Sequence, residues 1–225
     1  MRLYPAILTD SMNTLVEQLE SVKESEHVNR VHVDIIDGQF VDNLTVTPMD
    51  LTIVEFEEMK LDLHLMVEEP MDSVFECEAI REYLPIHQII GQVERMSRQE
   101  DFVHEVRRNG WKVGLGLDVF TPLEAVDEES WSDLDTLLLM GIEAGYQDQM
   151  FNVQVLQKIK ELRELPQAKH VTVLVDGGVK VTNITRILQA GADEVAVGSA
   201  LWKSNDPLQV INEFYASAEK FRSRE

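Results

Sequence analysis

Two histidines and two aspartates have the types and spacing to do chemistry. They are His32 and Asp34 in RVHVDIIDGQF (Arg30–Phe40), His64 in LDLHLM (Leu61–Met66) and Asp176 in VDGGV (Val175–Val179). Each lies in or just after a short run of Val, Ile and Leu, where a carboxylate is costly to bury unless something pairs it. His32 and Asp34 are two residues apart, so on a strand they face the same side. Two imidazoles and two carboxylates form a mixed nitrogen and oxygen set suited to one divalent metal ion. Zinc is favoured, and manganese, iron or cobalt are also accommodated. Each residue alone has a plainer reading. A strand histidine is usually a hydrogen-bonded core residue, and a DGG is usually a turn. Only convergence makes a site, so the elements that position these residues decide the matter.

Those elements alternate. Apolar strand-like runs occur at Tyr4–Leu8, Val28–Ile35, Leu61–Met66, Ile86–Gly91, Val113–Leu117, Thr136–Met140, Val171–Val175 and Glu194–Val197. Helical spacing of apolar residues marks Met12–Lys23, Phe102–Arg108, Val153–Leu162, Val181–Ala190 and Pro207–Phe221. Eight strands, most followed by a helix, predict a βα repeat, and the length of 225 residues suits an eight-stranded parallel barrel. The first strand is not followed by GxGxxG, which argues against an open doubly wound sheet. The expectation is a single-domain (β/α)8 TIM barrel over residues 1–225. In such a barrel chemistry sits at the C-terminal strand ends. There stand Thr9, His32 and Asp34, His64 and Met66, Met140, Asp176 with Gly177 and Gly178, and Gly198 with Ser199.

Composition narrows the partners. Lys and Arg number 20 against 41 Asp and Glu, a formal net charge of −21 that disfavours nucleic acid and anionic membranes. An anionic small substrate therefore needs a local source of attraction. The single cysteine, Cys77, can form no intrachain disulfide. With no N-terminal signal stretch and no apolar run of about 18 residues, the expectation is a soluble cytoplasmic protein.

HVDIIDGQFVDN (His32–Asn43), LDLHLMVEEP (Leu61–Pro70), VDGGV (Val175–Val179) and GADEVAVGSALW (Gly191–Trp202) resemble the ribulose-phosphate 3-epimerase family. AILTDS (Ala6–Ser11) and TPLE (Thr121–Glu124) resemble it too, so the likeness runs from the first strand to the eighth. It implies a metal-dependent epimerase that inverts C3 of D-ribulose 5-phosphate to give D-xylulose 5-phosphate. His32, Asp34, His64 and Asp176 would be the metal ligands, and Asp34 and Asp176 also the acid and base. Thr9 would lie near the substrate, Met66 and Met140 over the reacting carbons. Gly177, Gly178, Gly198 and Ser199 would offer backbone N–H groups to the phosphate. The family forms dimers and larger assemblies, so a homo-oligomer is also implied.

The chemistry suits such residues. Inverting a carbon beside a carbonyl needs a base on one face and an acid on the other, and two carboxylates supply both. A metal near the substrate oxygens stabilises the charge of the enediolate.

The sequence also departs from the family. Its phosphate loop usually reads NPGFGGQ. In MGIEAGYQDQMF (Met140–Phe151), Gly145 and Gln149 keep their places, but Gln147 and Asp148 replace paired glycines. Gln92 and Gln39 stand where histidines are common, and Asp118-Val119 where Asn-Pro is usual. None of these is a ligand, so they bear on the substrate more than on the reaction. An epimerase for another ketose or ketose phosphate, or a barrel that binds a metabolite without catalysis, stays open. Barrel decarboxylases and aldol-type synthases need DxKxxD after the third strand. His64 at the lysine place and Val67 at the last aspartate argue against them.

Overall fold

Runs of β-branched and leucine residues form eight strands here because both of their faces are covered, one by helices and one by the barrel interior. The computed structural model describes residues 1–146 and 149–222. The strands are β1 (Arg2–Ile7), β2 (Arg30–Ile36), β3 (Lys60–Met66), β4 (Ile86–Gln92), β5 (Lys112–Leu117), β6 (Thr136–Met140), β7 (Thr172–Asp176) and β8 (Glu194–Val197). All neighbours are parallel, and β8 pairs with β1 to close the barrel in sequence order. The (β/α)8 architecture expected from the sequence is thus the observed one.

Helices α1 (Met12–Val22), α2 (Pro70–Ala79), α3 (Gln99–Arg108), α4 (Gln154–Glu164), α5 (Ile184–Ala190), α6 (Ser199–Trp202) and α7 (Pro207–Arg222) wrap the outside. Two differ from the sequence expectation. The segment of α2 carries Pro70 in its first turn and buries only Pro70, Val74 and Cys77, too thin an apolar stripe to read from periodicity. A single turn, α6, follows β8 directly. The β2–β3 and β5–β6 connections hold only short 3-10 turns. In the second of these the Lys158 ammonium, reaching over from α4, donates to the carbonyls of Asp118, Val119 and Thr121. Those bonds tie the start of that loop to α4. No helix among the described residues is long and apolar enough to cross a membrane.

Alternation within strands separates two cores. Along β2, Val31, Val33 and Ile35 join the layer packed under the helices, while Ile36 packs with Tyr4, Met66, Leu138, Met140 and Leu174 inside the barrel. Arg30, His32 and Asp34 share the inward parity of Ile36. Beneath the future site lies a polar layer. Arg30 pairs with Asp62 at 3.0 Å and stacks over Tyr4, whose hydroxyl donates to Glu194 at 2.9 Å. Burial pushes the Asp62 carboxyl up to about 7 even though Arg30 pulls it down.

Basic residues gather at the N-terminal mouth. Burial, then the charges of Arg30, Lys60 and Lys112, push His87 down to about 4. The unfolded chain takes up this proton near pH 6.5, the folded chain only near pH 4, so acidification through that window costs stability. His87→Gln is expected to lose melting temperature less steeply than the parent between those two values. Equal slopes in a pH series of thermal melts would contradict this.

Candidate metal centre and substrate pocket

Register brings the four residues together. Asp34 on β2 lies beside His64 on β3, with His32 one inward position below, and Asp176 ends β7 beside Met140 of β6. Strands β8 and β1 separate β7 from β2, so Asp176 enters from a different wall. All four are buried, and one ligand atom from each lies within 4.8 Å of every other. His64 Nδ1 is 2.8 Å from Asp34 Oδ1, and His32 Nε2 is 3.4 Å from the same oxygen. Asp176 Oδ2 stands 3.8 Å from His32 Nε2 and 3.9 Å from His64 Nδ1.

These separations fit a shared ion. Ligands about 2.1 Å from one metal lie about 3.4 Å apart in a tetrahedral arrangement. His32 gives a second indication: it is wholly buried, yet neither ring nitrogen has a hydrogen-bond partner. A buried polar atom left so is costly, and a cation facing Nε2 removes that cost. The donor set, two nitrogens and two carboxylates, matches zinc and its neighbours among the divalent ions.

The two carboxylates differ electrostatically. Burial works against the Asp34 anion, but the adjoining imidazoles of His32 and His64 outweigh it and hold the carboxyl low. Burial, then the charge of Asp34, pushes Asp176 up. Burial opposes a charge on His32, yet Asp34, Asp176 and Asp62 outweigh it and raise its basicity. In the metal-free cluster one carboxylate therefore holds its charge while the other takes a proton more readily.

A pocket opens above this cluster. Its walls include Asp34, Asp176, Met66, Met140, Gly145, Gly177, Gly178, Gly198 and Ser199, all named from the sequence. Ala6, Leu8, Ile142, Tyr146, Val179 and Ala196 complete it, residues whose types gave no chemical signal. Gly178 has φ +69°, and a Cβ there would come within 2.9 Å of the Phe151 backbone, so this position needs glycine.

Two expected residues lie elsewhere. The Thr9 hydroxyl accepts from the N–H of Ser11 at 3.1 Å, in the turn that starts α1, and Leu8 takes the wall position. Gln149 donates to the carbonyls of Glu143 and Tyr146, holding its own loop. It borders an adjacent groove with Lys180, Ser199, Ala200, Lys203 and Ser204. Lys180 and Lys203 line this groove, in a chain whose net charge is −21. Gln147 and Asp148 fall outside the described residues.

Several supports were not legible as site residues. Asp37, the second aspartate of the opening motif, accepts from the N–H groups of Gln39, Phe40 and Glu68 and serves as a loop staple. The Thr45 hydroxyl donates to the Asp34 carbonyl and accepts from the Ile36 N–H, fixing the end of β2. Asn43 donates to the Gly145 carbonyl and the Tyr146 hydroxyl donates to the Asp42 carbonyl, tying the loop after β6 to the loop after β2.

Comparison with known proteins bears on this arrangement. The ribulose-phosphate 3-epimerase family model matches residues 2–202. Ribulose-phosphate 3-epimerase of Bacillus subtilis (strain 168) is 30% identical over 222 residues, covering 96% of this chain and 99% of that protein. The chloroplastic ribulose-5-phosphate-3-epimerase of Arabidopsis thaliana is 31% identical over 216 residues, covering 95% of this chain and 75% of its own. Among solved structures, 3-hexulose-6-phosphate synthase from Salmonella typhimurium superposes with a TM-score of 0.65 at 13% identity, covering 98% of this chain and all (100%) of the other. That last likeness is one of fold.

Proposed function

The chain belongs to the ribulose-phosphate 3-epimerase family, and on that premise we propose that it inverts C3 of D-ribulose 5-phosphate to give D-xylulose 5-phosphate. It is an isomerase acting on a carbohydrate. The observation that carries the reading is the convergence of His32, Asp34, His64 and Asp176 on one point beneath a pocket at the C-terminal strand ends.

His32, Asp34, His64 and Asp176 would hold one divalent metal ion, zinc by preference. When bound, the cation would stabilise the negative charge that develops on the substrate oxygens. Asp34 and Asp176 reach the pocket from β2 and β7. Placed on the two faces of the planar enediolate, one removes the C3 proton and the other returns one from the opposite side, with roles exchanged in reverse. Met66 and Met140, both buried, would close over the reacting carbons and exclude water without rigid fit. Gly177, Gly178, Gly198 and Ser199 would bind the phosphate through backbone N–H groups, because without a side chain the three glycines allow close approach. Lys180 and Lys203 would draw the anion to that end of the site against the repulsion of the chain as a whole.

The test is a coupled assay of D-ribulose 5-phosphate conversion with protein reloaded with Zn, Mn, Fe or Co. Conversion with at least one metal is expected. Protein that binds metal but converts nothing would rule out ribulose 5-phosphate, and ketohexose phosphates would then be tried in the same format.

A further inference from the structure

We propose that Gln92 is a positioning residue that makes His64 a metal donor through Nδ1, and that Glu94 and the Gly116 carbonyl hold it in the orientation to do so. The inference rests on the metal-centre reading above and concerns how that centre is kept receptive.

Gln92 is the last residue of β4 and is fully buried. The oxygen and nitrogen of an amide are told apart by their neighbours. Here one amide atom faces the Gly116 carbonyl at 2.7 Å and Glu94 Oε2 at 2.8 Å, both acceptors, so that atom is Nε2. The other, Oε1, then accepts from His64 Nε2 at 3.2 Å. Glu94 is itself fixed, since its other oxygen accepts from the Asp118 N–H at 2.7 Å. Gly116 is the β5 register partner of Gln92, and a Cβ there would come within 2.9 Å of the Gln92 carboxamide. A glycine at 116 therefore makes room for the amide, and β4, β5 and the loops after them all converge on one side-chain orientation.

The consequence follows from proton inventory. A carbonyl oxygen only accepts, so the proton of neutral His64 must sit on Nε2. Nδ1 then presents a lone pair to Asp34 Oδ1 only 2.8 Å away. Two acceptors at that distance repel unless a cation or a further proton lies between them. Remove the Gln92 oxygen and neutral His64 is free to take the other tautomer. Its N–H would then sit on Nδ1 and donate to Asp34, closing the pair and occupying the lone pair that a metal requires. Gln92 thus keeps the metal-free pair unsatisfied and the metal-bound pair satisfied, as second-layer partners of ligating histidines do elsewhere.

The experiment compares the whole chain with Gln92→Met, which has similar length and no carbonyl, and with Glu94→Gln, which leaves the Gln92 amide in place but removes the charge. Zn(II) affinity is measured by competition with a chromophoric chelator. The His64 tautomer is read from the nitrogen shifts of the metal-free protein by NMR at alkaline pH. Gln92→Met is expected to bind Zn(II) about 10- to 100-fold more weakly and to show its proton on Nδ1. Glu94→Gln is expected to fall between it and the parent. Parental affinity in Gln92→Met, or a proton still on Nε2 in that variant, would overturn the inference. If Gln92→Met does not fold, parental affinity in Glu94→Gln overturns the part assigned to Glu94, and a proton on Nδ1 in the parent overturns the whole. A parent chain that binds no Zn(II) is a separate result: it removes the metal centre itself and this inference with it.

Discussion

Asp176→Asn is expected to leave a folded protein whose interconversion of the two pentulose phosphates falls by about 10²- to 10⁴-fold, the range over which positioned general acids and bases act. The substitution is nearly isosteric, so the barrel and the pocket walls remain. What it removes is a group able to take up and release a proton on one face of the substrate. Asp34 sits on β2, with β8 and β1 between it and β7 around the closed barrel, and cannot serve both faces without moving. Burial and the nearby charge of Asp34 push the Asp176 carboxyl up, so this is the member of the pair more ready to act as acid, and asparagine has no such proton to give. Turnover is measured in the coupled assay with excess metal, because the side chain is also one of the four candidate ligands. Exchange of the C3 hydrogen with solvent deuterium is followed alongside. Loss of inversion with some exchange surviving from the epimer that Asp34 faces is the expected pattern. Undiminished inversion in Asp176→Asn would contradict the two-carboxylate mechanism.

Metal removal has the second large expected effect. Dialysis against a chelator should bring turnover to background, and reloading with a divalent ion should restore it. Stability should change as well, since two carboxylates and two imidazoles remain buried within 4.8 Å of each other when the ion leaves. An ion present at 100 times its dissociation constant contributes about 2.7 kcal/mol. For a chain of this length that converts to a loss of about 5 to 10 °C in melting temperature. Thermal melts with and without chelator, in parallel with activity, check both parts. Full turnover after exhaustive stripping, verified by elemental analysis, would contradict a catalytic metal.

The sequence alone determined the architecture and singled out the four residues that the fold brings together. Strand and helix periodicities are local signals, and eight apolar runs in 225 residues leave few ways to bury both faces of each strand. The candidate ligands were legible for a related reason: histidine and aspartate inside apolar strands are expensive, so their presence marks compensation. Their inward direction followed from the two-residue period, as with His32 and Asp34. Pocket glycines and methionines were legible mainly through the family likeness, and the structure places them around one pocket.

What the sequence left open depends on contacts between distant segments. Thr9 looks like a substrate residue by position, and only the loop packing shows that its hydroxyl also accepts from the Ser11 N–H at the start of α1. Asp37 looks as chemical as Asp34, but three backbone N–H groups from two loops claim it. Lys180 and Lys203 are 23 residues apart in sequence and become neighbours through the β7 and β8 strand ends. Gln92 reads as one polar residue at a strand terminus. Its meaning comes from Gly116 and Glu94 on one side and His64 on the other, brought into reach by the register of β3, β4 and β5. Periodicity specifies which way a side chain points along its own strand. Which partner it meets there is set by register across strands and by loop closure, quantities that no local pattern of residues encodes.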